Sequence, residues 1–219
     1  MSGTVYSLRI TLSGSKPPIW RKLAVPSDIV LADLHEVIQI AMGWTDSHLH
    51  QFRLHDKGLK PSPQEMARRF QRDEWDDEFL GRMREERVFV AKVTSWGDPS
   101  DMDGEDEGDF TLGELCPKVN SKLIYEYDFG DGWEHTIEVQ KIVEPEPGVE
   151  YPVCLGGKKA CPPEDCGGIW GYYELLETIA DPDADDHEEM VEWLGDEFDP
   201  DAFDLEEVNA VLAEWRKGR

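Results

Sequence analysis

The sequence predicts an α+β fold: a mixed or antiparallel sheet with a β-grasp-like β-β-α-β N-terminal half, a later β-hairpin, and C-terminal helices. Alternating apolar residues open the chain, one helical repeat interrupts them, and three helical patterns follow one another after residue 170. Strands grouped early and helices grouped late mark α+β rather than a strictly alternating α/β chain.

VYSLRITL (5–12) places Tyr6, Leu8, Ile10 and Leu12 on one face of a strand. SGSKPP is a loop, and IWRKLAV (19–25) a returning strand. LADLHEVIQIAMG carries Leu31, Leu34, Ile38 and Ala41 at helical spacing, with Gly43 placed to end the helix. HLHQFRL (48–54) is the next strand. Residues 68–86 have a helical look with mixed charge, fitting a solvated surface helix or a partner-binding one, and VFVAKV (88–93) is a short strand. GDPSDMDGEDEGD (97–109) is acidic and almost without apolar residues, as a mobile loop would be. KLIYEYDF, GDG and WEHTIEVQKIV form a hairpin. Helical patterns follow at 172–180, 187–195 and 204–215. In the last, Asp204 and Glu207 have capping-box spacing, and Leu205, Val208, Leu212 and Trp215 make an apolar stripe.

The 219 residues include 39% apolar side chains and eight tryptophans, enough for a core. The chain is expected to be one domain over 1–219, with 60–115 a variable, partly acidic insert and 170–217 the C-terminal helical part. Twenty-two basic residues against 48 acidic ones give a net charge of −26. Such a surface repels phosphate, which disfavours direct duplex DNA binding and fits a protein partner, a basic one above all. MSGTVYSLRI lacks the pattern of a signal peptide, and no apolar run approaches a membrane span. The expected compartment is cytoplasmic, where Cys116, Cys154, Cys161 and Cys166 would be thiols or metal ligands before disulfides.

Taking GDG (130–132) as a three-residue connection pairs Phe129 with Trp133, Tyr127 with His135, and Asp128 with Glu134. Leu123, Tyr125, Tyr127 and Phe129 then share a face with Trp133, His135, Ile137 and Val139. His135, a polar group on an aromatic face, needs a hydrogen-bond partner. Asp128 opposite Glu134 needs an intervening cation or a bulge. His48 and His50, two apart in a strand, would point the same way and can pack or bind a transition metal, while His35 is a packing residue on its helix.

Cys154-x6-Cys161-x4-Cys166 is neither a zinc ribbon nor the CxxC of a redox motif. Three thiolates with His48, His50 or His135 would complete a tetrahedral zinc site; plain thiols in a loop stiffened by Pro162 and Pro163 are the other reading. DFG at 128–130 has none of the accompanying kinase motifs. The acids from 181 to 192 depart from a calcium loop at Asp186 and Glu188. No nucleophile elbow, phosphate loop or dinucleotide fingerprint occurs.

In this order, LADLHEVIQIAMGW, SHLHQFRL, YEYDFGDGWEHTIEV and KKACPPEDCGGIWGY resemble the plasmid pRiA4b ORF-3-like family, over residues 4 to 215. The resemblance implies a bacterial or archaeal α+β domain, often on plasmids or mobile elements, with no established activity. It marks His35, Gly43, Trp44, His48, His50, Tyr127, Asp128, Gly130, Asp131, Trp133, His135, Cys161, Pro162, Pro163, Glu164, Asp165, Cys166 and Gly168 as signature positions.

The candidate site comprises His48, His50, Tyr127, Asp128, Asp131, Trp133, His135, Glu164 and Asp165, with Cys154, Cys161 and Cys166 as candidate metal ligands and zinc the candidate ion. Imidazole face and thiol loop are expected to meet at one pocket, the three later cysteines close together beside a histidine. The expected function is a non-enzymatic binding or accessory module, associated with mobile elements and acting through a protein partner. The alternative is a metal-dependent hydrolase or nuclease using His48, His50, His135 and nearby acids.

Overall fold

A computed structural model describes residues 3–55, 86–91, 103–195 and 198–219. The helix expected over 68–86 lies almost wholly outside those residues.

Among the described residues eight strands form one mixed sheet in the order β5-β4-β3-β6-β7-β1-β2-β8. The first two, β1 (Val5–Leu12) and β2 (Trp20–Pro26), pair antiparallel from Val5↔Pro26 to Thr11↔Trp20. Helix α1 (Leu31–Met42) follows, ended by Gly43 at φ +99, which donates its N–H to Gln39 O at 2.8 Å. Only glycine adopts such an angle without strain. The apolar stripe of α1 and the Tyr6, Leu8, Ile10, Leu12 face of β1 are both buried in the same core.

Strand β3 (His50–His55) does not pair with β1. The hairpin of β6 (Lys122–Tyr127) and β7 (Trp133–Val143) is inserted between them. On the far side, β4 (Glu86–Val90) pairs with β3, and β5 (Glu105–Asp106) joins β4 in parallel. Part of the acidic stretch read as a mobile loop is therefore ordered. After β5 come a 3₁₀ turn at Glu107–Asp109 and short helix α2 (Leu112–Leu115), capped reciprocally by Thr111 and Glu114.

The hairpin register differs from the sequence expectation. Tyr127 pairs with Trp133, Tyr125 with His135 and Glu126 with Glu134, leaving a five-residue loop over 128–132. Asp128 leaves the ladder at φ +56, and its Oδ1 accepts from the N–H of Gly130 at 2.9 Å, which closes the loop early. The shift is even, so the buried face is the expected one except for Phe129, which is exposed at the turn. The like-charged pair is Glu126 and Glu134. Arg53 lies between them, its Nη2 2.5 Å from Glu134 and its Nε 3.3 Å from Glu126, the cation the pairing needs.

Strand β8 (Val153–Lys158) closes the other edge against β2. The sequence reading places no strand over these residues. Helices α3 (Gly168–Ala180), α4 (His187–Leu194) and α5 (Leu205–Lys217) complete the chain. Asp204 caps α5 by accepting from the N–H groups of Glu206 and Glu207. Leu212 of the expected α5 stripe is fully buried, whereas Leu205 is exposed. Asn209 ties α5 to β8 by bonding both the N–H and the carbonyl of Cys154. Among the described residues no helix is long and apolar enough to cross a membrane.

Candidate functional site

Three segments far apart in sequence meet at one end of the sheet: residues 44–50 entering β3, the 128–132 turn, and the 161–168 loop entering α3. The Tyr127 hydroxyl accepts from Ser47 N–H at 2.9 Å and donates to Glu164 Oε1 at 2.5 Å. Thr45 Oγ1 donates to the other Glu164 oxygen at 2.6 Å, and Trp44 Nε1 to Pro162 O at 3.0 Å. Asp131 Oδ2 accepts from Gly167 N–H at 3.2 Å. Gly168 sits so close that an added Cβ would stand 2.4 Å from Asp131 O. Sheet end and proline-stiffened loop therefore do converge.

At the centre, His48 Nε2 faces Asp165 Oδ1 at 3.3 Å and Asp128 Oδ2 at 3.7 Å. Among the described residues it finds no hydrogen-bond partner, although the atom itself is buried. Asp128 is held rigidly: its N–H bonds Leu49 O, its carbonyl accepts from Gly132, and its Oδ1 serves the turn. Its Oδ2 is left to His48. Two ligands bound at ~2.1 Å to one ion stand roughly 3.0–3.4 Å apart at octahedral or tetrahedral angles. The observed spacings are close to that range, and all three ligand atoms lie within 4.8 Å of one another.

His50 does not share this cluster. Residue 48 precedes the strand, so the two imidazoles do not line up as strand neighbours. The His50 ring stacks on His35, centroids 3.4 Å apart and planes 5° from parallel. Its Nε2 bonds the buried Glu107 at 2.9 Å. His35 bonds Tyr125 through Nδ1 and Asp46 through Nε2, and Gln39 also bonds the Tyr125 hydroxyl. His35, Asp46 and His50 also come within ligand distance. The Nε2 atoms of His35 and His50 are already hydrogen-bonded, to Asp46 and Glu107, however, which makes this a satisfied structural network. Burial lowers the His35 pKa, outweighing the opposing pull of Asp46.

Trp133 and His135 form the floor rather than the rim. Both are fully buried beneath Trp44, whose ring lies 5.0 Å from Tyr127 and meets His135 edge-on at 5.2 Å. Among the described residues neither nitrogen of His135 finds a well-aligned partner, contrary to the sequence expectation. Burial pushes its pKa down to about 4. The unfolded chain, with a histidine pKa of about 6.5, therefore takes up this proton first. Stability is fully present above about pH 6.5 and falls with decreasing pH toward about 4, by up to about 1.4 kcal/mol per unit. In denaturant melts across that window, His135→Phe is expected to flatten the slope without abolishing it, because His35 acts with the same sign.

Neither ligand group among the described residues contains a cysteine. Cys154 lies on β8 with its thiol directed to Gly156 O at 3.6 Å, while Cys161 and Cys166 lie in the 161–168 loop. Burial raises the pKa of all three, that of Cys166 to about 12, so the thiols stay protonated. Arg21, itself buried, lowers the pKa of Cys154 and Cys161 only in part.

Sequence reasoning missed Asp46, Thr45 and Glu107 as members of these networks, and it read His35 as packing alone. Glu107 carries no signal in a run of acids.

The sequence profile described as "Plasmid pRiA4b ORF-3-like protein" matches residues 4–207. The chain is 36% identical over 225 aligned positions to "Uncharacterized protein y4hQ" of Sinorhizobium fredii, covering 100% of this chain and 98% of that protein. It is also similar to a solved structure, "Protein of Unknown Function MM3350" from Methanosarcina mazei Go1. That match has a TM-score of 0.71 and 33% identity, over 93% of this chain and 96% of the other.

Proposed function

We propose that this chain, which belongs to the plasmid pRiA4b ORF-3-like family, is a non-enzymatic binding module clasped by a divalent cation. The cation sits on His48, Asp128 and Asp165, and the module's working surface is the three-loop junction around them. The observation that carries this is the unbonded His48 Nε2 facing two carboxylate oxygens at 3.3 and 3.7 Å. One imidazole with two carboxylates suits Mn²⁺ or Zn²⁺ better than a soft, thiolate-seeking ion. A cation there offsets the repulsion between Asp128 and Asp165 and ties the β3 entry, the hairpin turn and the α3 entry together. It also fixes the 161–168 loop as one wall of a surface for a protein partner. The strongly acidic chain suits a basic partner.

A second reading, the metal-dependent hydrolase, is favoured by one feature of the same cluster. Three protein ligands leave positions open, and the Asp165 side chain is 72% exposed, so a bound water would face solvent.

Titrating the purified, chelator-treated chain with Mn²⁺ and with Zn²⁺ by calorimetry tests the site, and a phosphodiester assay of the loaded protein separates the readings. One equivalent bound with no hydrolysis is expected. Turnover lost in His48→Ala would replace the binding module with the hydrolase; no binding of either ion would remove the clasp.

A further inference from the structure

Helix α4 carries Met190, Val191, Trp193 and Leu194, yet none of its residues is buried. It lies against α3 over a cavity of about 340 Å³ whose apolar lining is Leu175, Met190 and Trp193. The acidic lining is Asp165, Glu174 and Asp186. Trp193, 48% exposed, also walls a second cavity of about 230 Å³, together with Pro162, Pro163 and Phe198. Neither cavity has a lysine or arginine in its lining, and Glu174 and Asp186 form no salt bridge with a cation among the described residues. The larger volume falls within the range of roughly 300–1,000 Å³ common for ligand sites.

We infer that the cleft between α3 and α4 receives an arginine-bearing segment of a basic protein partner. The inference rests on the binding-module reading above and names the partner's chemistry. An exposed indole beside carboxylates suits a guanidinium, which stacks flat on the ring while its N–H fork reaches the acids. Lysine offers a point charge without the planar face. Phosphate-rich ligands are repelled by the acidic lining and by the net charge of −26. Asp165 belongs both to the cation cluster and to this cleft, so the loop clasped by the ion is also a wall of the groove.

Fluorescence anisotropy of a short labelled Arg-Gly-Ser repeat peptide on the full chain, with Mn²⁺ present, tests this. Trp193→Ala, and separately Glu174→Gln with Asp186→Asn, are expected to weaken binding at least about ten-fold. These side chains are exposed or line an open cavity, so their loss leaves the core intact. Glu144→Gln with Glu146→Gln removes the same charge from an exposed segment and is expected to change binding less than about two-fold. The lysine counterpart of the peptide is expected to bind more weakly. Equal weakening by both charge-removal pairs would reduce the effect to diffuse attraction and overturn the inference. Failure of the peptide to bind a protein that still takes up Mn²⁺ would overturn the cleft assignment while leaving the metal-clasped module standing.

Discussion

Gly168→Ala is expected to destabilise the protein by roughly 2–5 kcal/mol, lowering its melting temperature by about 5–15 °C in calorimetry. Two independent terms add. Gly168 has φ +69, where an alanine is strained, and its Cβ would stand 2.4 Å from the Asp131 carbonyl oxygen. That obstacle is backbone, so no side chain can rotate out of the way; either the hairpin turn or the start of α3 must move. Gly43→Ala is the control, because its φ is +99 but nothing lies within 4 Å of the added atom. It should show only the conformational term, about 1–2 kcal/mol. Equal shifts in the two variants would mean that turn and loop are not packed tightly at the junction. A moved turn also displaces Asp128, so Gly168→Ala is expected to weaken cation binding as well.

The second large effect concerns the ligands of the proposed cation. His48→Ala and Asp128→Asn are each expected to lower Mn²⁺ or Zn²⁺ affinity by at least about 100-fold in calorimetric titration, since even outer-shell partners are worth 10–100-fold. Asp128→Asn keeps the size of the side chain, and its Oδ1 can still accept from Gly130, so the turn is retained while the charge is lost. Cys166→Ser is expected to leave the affinity unchanged. Loss of Zn²⁺ binding in that variant, with His48→Ala unaffected, would move the metal to the thiols.

Much of the fold was legible because local rules and burial agreed. The Tyr6, Leu8, Ile10, Leu12 alternation, the Gly43 stop and the Asp204 cap each state one structure at short range, and each is found. Strand β8 was not legible: Gly157 lies in it because the Phe203 ring packs against the backbone, within 2.6 Å of where a Cβ would be. That contact spans the fold and leaves only a glycine in the sequence. The hairpin register was missed because Asp128 caps its own turn, a side-chain effect that strand alternation does not encode.

The candidate site was legible as a set of residues and less so as an arrangement. Glu164, Asp165, Tyr127, Asp128 and His48 do assemble around one point. His50 was grouped with His48 by strand spacing, yet β3 begins at residue 50, and His50 turns into a network with His35 and Glu107. Spacing fixes which residues alternate only once the strand boundary is known.

Crystals soaked in Mn²⁺ and measured at a wavelength where manganese scatters anomalously give the most direct test. One strong peak within roughly 2.0–2.3 Å of His48 Nε2 and of carboxylate oxygens from Asp128 and Asp165 is expected. A peak instead at the stacked His35–His50 pair or between Cys161 and Cys166, or none at saturating ion, would contradict a cation centre at the junction of the three loops.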